Sequence, residues 1–213
     1  MFANRQDAGR RLARLLYSYR GQHPLVMGLP RGGVVVAAEV ARAIEGELDV
    51  LFIKKLGAPG NPELAIGAIG ENGKPCMNDV ARMSRVSADY VSGLAARKLE
   101  EIRKQALLYR AVKKKSTPAG RRCILVDDGL ATGATMIAAI RTVYAERPTS
   151  IVVAVPVSPD DTLASIREMS EVTDVICLQV PSWFSGVSQV YSDFDQVEDG
   201  TVVELLKQLV ALT

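Results

Sequence analysis

The sequence predicts an open, doubly wound α/β domain on a mainly five-stranded parallel sheet. Short apolar runs of four to eight residues lack the polar alternation of a half-exposed strand. Helical patterns separate these runs, and loops of small residues follow three of them directly. Runs of that kind are buried on both faces, and strand–helix alternation assembles them into a helix-covered parallel sheet. At 213 residues the chain suits one sizeable core better than two, so 1–213 is taken as a single domain.

Each element has a local cause. Phe2, Leu12, Leu15, Leu16 and Tyr19 suit one side of an N-terminal helix. PLVMG (24–28) is the first strand, and the helix over 34–46 is closed by Gly46. LDVLFI (48–53) is the second strand. Residues 57–85, rich in Gly, Pro and Asn at first, form an excursion with a short hairpin around LAIGAIGENGKPCM. A long polar helix spans 85–112, anchored by Val86, Tyr90, Leu94, Ile102 and Leu108. Strand three is CILV (123–126), followed by a helix over 133–145. SIVVAVPV (150–157), a helix over 163–169 and VTDVICLQV (172–180) complete the pattern.

Composition narrows the function classes. Hydrophobic residues make up 48% and charged ones 23%, as in a soluble globular protein. No apolar run approaches the ~20 residues that cross a bilayer, so no membrane partner is expected. The Arg-rich start lacks the apolar stretch and cleavage site of a secretory signal. Cys76, Cys123 and Cys177 are far apart and form no C-x-x-C pair, which fits a reducing cytoplasm and offers no metal or redox motif. Net charge is +2, yet residues 151–213 carry two basic and ten acidic groups, leaving the first 150 residues at +10. That excess suits a phosphate-rich small ligand or helix surfaces better than nucleic acid. Lys113–Lys115 lie where the long helix should end and complement its dipole.

In such sheets ligands bind at the carboxyl ends of the strands, near the switch in strand order. Three loops converge there: LPRGG (29–33), KKLG (54–57) and DDGLATGAT (127–135). Ala131, Thr132, Gly133, Ala134 and Thr135 open a helix, where bare amides, the helix dipole and hydroxyls cradle a phosphate. No G-x-x-x-x-G-K-[ST] is present, and Pro30 breaks a G-x-G-x-x-G reading. Asp127 and Asp128 repel one another and need donors that reward the pair, such as the vicinal hydroxyls of a ribose 5-phosphate. Arg31, Gly32 and Gly33, with Lys54 and Lys55, suit a further polyanion.

VDDGLATGAT closely resembles the 5-phosphoribosyl 1-pyrophosphate (PRPP) signature of type I phosphoribosyltransferases. LPRGG looks like their pyrophosphate loop, and the N-terminal helix with PGNPELAIGAIGENG resembles a bacterial subgroup of the family. The resemblance implies that fold, with 57–85 as a mobile loop and about 180–200 as a small hood. It assigns Asp127 and Asp128 to the ribose hydroxyls, residues 131–135 to the 5-phosphate, and Arg31 and Gly32, helped by Lys54 or Lys55, to pyrophosphate. Trp183 and Phe184 of the hood segment would cover a base. Mg²⁺ would arrive with the ligand, near Asp127, Asp128 and Asp193. The implied reaction moves a phosphoribosyl group from PRPP to a nitrogen acceptor, usually a nucleobase, with release of pyrophosphate.

Three departures matter. Gly129 stands where many members carry a larger apolar residue, which implies a more mobile loop. Ala131 cannot titrate, unlike the Asp that 6-oxopurine enzymes place there, and the loop looks instead like that of adenine enzymes. The hood and PRGG look like the hypoxanthine–guanine branch, so the two resemblances name different bases. Glu63 is read first as a solvated loop charge and second as a general acid or base, and His23 is structural. A PRPP-sensing regulator and a phosphoriboside phosphorylase or hydrolase are the alternative functions. The N-terminal helix and the helix at 85–112 are candidate homodimer surfaces.

Overall fold

The computed structural model describes residues 1–83 and 85–210. Its centre is a parallel sheet of β1 (Leu25–Gly28), β2 (Glu47–Val50), β6 (Arg122–Val126), β7 (Ser150–Val157) and β8 (Asp174–Gln179), in the order β2-β1-β6-β7-β8. All five predicted strands are present, within a few residues of their expected ends. Side chains alternate between two buried faces. Val26, Ile124 and Val152 join the core under α1 (Arg5–Leu15), α2 (Gly32–Ile44), α4 (Ala88–Arg110) and α7 (Asp199–Val210). Leu25, Met27, Cys123, Leu125 and Val153 face α5 (Ala134–Tyr144) and α6 (Asp160–Arg167). The order switches between β1 and β6, and their register ends on Gly28 opposite Val126. The loops that follow them therefore leave the sheet side by side.

The excursion is more regular than a short hairpin. β3 (Ile53–Ala58), β4 (Asn61–Gly70) and β5 (Pro75–Met77) form a three-stranded antiparallel sheet, followed by the short α3 (Asp79–Met83). Strand two thus ends at Val50, and Lys54 and Lys55 lie on β3 rather than in a loop. The side chain of Glu63 lies outside the described residues.

Helix details also differ from expectation. Phe2 precedes α1, and Leu15 is exposed, because α1 turns Ala8, Gly9, Leu12 and Ala13 onto α2. Along α4 the buried row is Ile102, Ala106 and Tyr109, which puts Leu108 on the solvent side. α7 was not anticipated; it lays Val202, Leu206 and Leu209 on the first core.

Charge pairs fasten the rear of the molecule. Arg110 at the end of α4 donates to the fully buried Asp49 of β2 at 2.6 Å and to Glu71 at 2.6 Å. Lys113 pairs with Glu47 at 2.6 Å and Lys115 with Glu146 at 3.1 Å, so these two lysines serve internal contacts. Among the described residues no helix is long and apolar enough to cross a membrane.

Candidate active site

Asp127 and Asp128 stand just beyond β6, and the partner that offsets their repulsion comes from the other end of the sequence. Arg5, in the first turn of α1, donates through Nε to Asp128 Oδ2 at 2.6 Å, with both side chains largely shielded from solvent. The Asp128 N–H donates to Asp127 Oδ1 at 2.9 Å. The start of α2 lies against the pair, where the positive end of a helix dipole favours negative charge. Burial and the neighbouring Asp128 push the Asp127 carboxyl well above the usual carboxylate range. Burial also raises Asp128, while its bond to Arg5 opposes the rise.

The glycines of PRGG owe their place to this pair as much as to any ligand. A Cβ at Gly32 would stand 2.0 Å from Asp128 Oδ2 and 2.7 Å from Arg5 Nε. One at Gly33 would stand 2.8 Å from Asp127 Oδ1. Arg31 ends the loop as the residue before α2, after a cis peptide bond from Pro30. Its guanidinium turns toward the start of α7, 3.8 Å from Glu198.

The loop expected to cradle a phosphate leads directly into α5. Gly133 takes a left-handed conformation, φ 69°, immediately before α5. The Thr162 hydroxyl of α6 donates to the Ala131 carbonyl at 2.7 Å, and the Leu130 N–H donates to the Val157 carbonyl at 2.9 Å. Ala131, Thr132, Ala134 and Thr135 are exposed at the mouth of the helix, whose first amides have no partner within it. Thr132, Ala134 and Thr135 line a cavity of about 690 Å³ together with Lys54 and Lys55. A second cavity of about 80 Å³ joins Lys54 and Thr135 to Leu29 and Pro30. The structure therefore groups both lysines with the loop at 131–135, and Lys54 also reaches the PRGG side.

The two aromatic residues of the hood segment have different surroundings. Trp183 is 76% exposed, and its ring stacks on no other among the described residues. Phe184 packs with Val187 against a cluster of Phe2, Ala8, Val157 and Tyr191. A Cβ at Gly129 would meet Val187 Cγ1 at 2.5 Å and Val157 Cγ1 at 2.8 Å, so Gly129 marks close packing rather than the mobility its size implied. Asp193 is exposed and lines a cavity of about 150 Å³ with Asn4, Arg5 and Asp195; its carboxylate accepts from the Asp195 N–H. Sequence reasoning missed Arg5 and Tyr191, whose hydroxyl donates to the Asp128 carbonyl at 2.6 Å. Among the described residues no three metal-ligating side chains gather, so the donor set is two adjacent carboxylates. A hard cation that keeps its waters and rides on ligand phosphates fits such a pair.

The open α/β sheet carries a small-residue loop and a carboxylate pair side by side at its switch point. The chain belongs to the phosphoribosyl transferase domain family, whose model matches residues 3–195. It is 42% identical over 207 residues to two Mycobacterium tuberculosis proteins, named "Putative phosphoribosyl transferase" MT0597 and Rv0571c. The match takes in 97% of this chain but only 46% of those relatives, so the chain spans about half their length. The crystal structure of TT1426 from Thermus thermophilus is similar throughout: 43% identity, TM-score 0.90, and 98% of each chain covered. AQ2163 from Aquifex aeolicus shares the fold at 12% identity and TM-score 0.50, over 83% of this chain and 74% of that one.

Proposed function

We propose that the chain transfers a 5-phosphoribosyl group from PRPP to a nitrogen acceptor, with a nucleobase as the leading class, and releases pyrophosphate. The observation that carries this reading is the placement of the carboxylate pair and the phosphate loop on consecutive turns after β6, with the PRGG loop beside them at the switch point. The 5-phosphate would take the first-turn amides of α5 and the hydroxyls of Thr132 and Thr135. Asp127 and Asp128 would accept from the ribose 2- and 3-hydroxyls and favour the positive charge that develops on the ring. Pyrophosphate would leave toward Arg31 and the bare amides of Gly32 and Gly33, within reach of Lys54. Asp127 and Asp128 would hold Mg²⁺ that arrives with the ligand, and the ion would supply charge neutralisation for the leaving pyrophosphate. The antiparallel sheet β3–β5 packs on α5 and faces Thr132 and Thr135 across the larger cavity, where it would help to exclude water that competes for the reactive sugar. Three free cysteines suit a reducing compartment such as the cytoplasm.

The test is Mg²⁺- and PRPP-dependent pyrophosphate release by the purified chain with adenine, hypoxanthine, guanine, xanthine, uracil and orotate. Release that requires one base names the acceptor. Asp128→Asn should remove roughly 2–4 kcal/mol of transition-state stabilisation, read as kcat/KM. Binding of PRPP without release for any base makes the chain a PRPP-sensing regulator instead. Turnover with inorganic phosphate and a phosphorylated riboside, but none with PRPP, makes it a phosphorylase.

A further inference from the structure

We propose that Arg5 is a positioning residue for the sugar site: it acts through Asp128 and is itself held by the hood. The inference rests on the phosphoribosyl-transfer reading and adds a residue outside the three converging loops. Arg5 Nε holds Asp128 Oδ2 at 2.6 Å, Nη1 donates to the Asp195 carbonyl at 2.8 Å, and the guanidinium lies 3.8 Å over the Phe194 ring. Arg10, Arg11 and Arg14 of the same helix are exposed, so Arg5 alone is turned into the protein. A guanidinium taken out of water needs a compensating anion, and here that anion is the carboxylate assigned to the ribose.

The arrangement fixes Asp128 at both ends. Tyr191 of the hood holds its carbonyl, and Arg5 holds its side chain. Phe2 and Tyr191 pair as a parallel bridge, and the Ser192 and Asp193 N–H groups donate to the Phe2 and Ala3 carbonyls at 2.8 and 3.0 Å. The segment before α1 and the hood therefore form one unit around the carboxylate. With Oδ2 engaged, the Asp128 side chain is locked in rotation, and its second oxygen is left for a ribose hydroxyl. Gly32 supplies the room, since a Cβ there would overlap the pair.

The experiment is a double-mutant cycle read by calorimetry with two probes, Mg²⁺–PRPP and ribose 5-phosphate alone. Wild type, Arg5→Ala, Arg5→Lys, Asp128→Asn and both Arg5 changes on Asp128→Asn are compared, with circular dichroism as the check of folding. Arg5→Ala should weaken both ligands by about tenfold or more, as expected for a lost charge-assisted hydrogen bond. Arg5→Lys should restore part of this, because an ammonium keeps the charge but not the two-armed grip. On Asp128→Asn, either Arg5 change should cost less than about twofold, since residues acting through one another are non-additive. If Arg5→Ala does not fold, the Arg5→Lys cycle carries the same decision. Additive losses, unchanged binding, or tighter binding by the Arg5 variants overturn the proposal and leave the transfer reading standing. Failure of the wild type to bind either probe overturns both.

Discussion

Gly32→Ala is the sharpest probe of how the site is packed. Alanine normally favours a helix over glycine, here by at most about 1 kcal/mol. At position 32 the added methyl would lie 2.0 Å from Asp128 Oδ2, where ordinary contact begins near 3.4 Å. The carboxylate must therefore retreat by more than an ångström, which breaks its 2.6 Å bond to Arg5. A lost hydrogen bond to a charged group costs about 1.5–3 kcal/mol, and overpacking adds about 1–3 kcal/mol. Less the helix gain, the net loss is about 1.5–5 kcal/mol, or roughly 3–20 °C in Tm for a chain of this size. Gly93→Ala on α4 is the control, because the nearest atom to its Cβ is Arg97 Nη1 at 3.9 Å. It should gain about 0.4–1 kcal/mol. Thermal unfolding by circular dichroism separates the two, and titration with PRPP should show weakened binding only for Gly32→Ala. Equal Tm shifts in the two variants, with PRPP affinity kept, would refute the reasoning.

Two further outcomes concern the rear of the fold. Burial pushes the Glu47 carboxyl up, but hydrogen bonds from Lys113, Ser116 and Arg121 outweigh it and bring the pKa to about 2, from an ordinary 4.5. A folded value below the unfolded one stabilises the protein above about pH 4.5 and is lost as pH falls toward 2. Glu47→Gln should therefore be less stable near neutrality and converge on wild type in acid, as read from Tm against pH; a constant offset would contradict the linkage. Arg110→Ala strands Asp49 and Glu71 without their cation and should cost about 3–5 kcal/mol in urea unfolding. A loss below about 1 kcal/mol would mean that water replaces the guanidinium there.

The sheet was legible because its cause is local. Strands such as SIVVAVPV are too apolar to lie anywhere but between helix layers, and the loops after 28 and 126 inherit their meeting place from that sheet. The antiparallel sheet was harder, because LAIGAIG mixes glycine and alanine, residues of low strand preference, and its partner strands supply the reason to extend. Tyr109 was mis-phased with Leu108 because both suit a helix, and only packing against Phe52 chooses between them. The pattern of α7 was present in Val202, Leu206 and Leu209 and went unused. Arg5 had no local signal at all: it is one of several arginines on an amphipathic helix, and its partner lies 123 residues away.

The parallel bridge between Phe2 and Tyr191 has a consequence for how the protein can fail. It joins segments almost two hundred residues apart, and such long-range closures form late and open early. Fraying of that seam would release Arg5 and Tyr191 from Asp128 while leaving the parallel sheet whole. A preparation that looks native by its helix and strand content can therefore hold molecules in which Asp128 has lost both of its holds. Loss of function on mild heating or in dilute denaturant would then precede any change in the spectrum of the sheet.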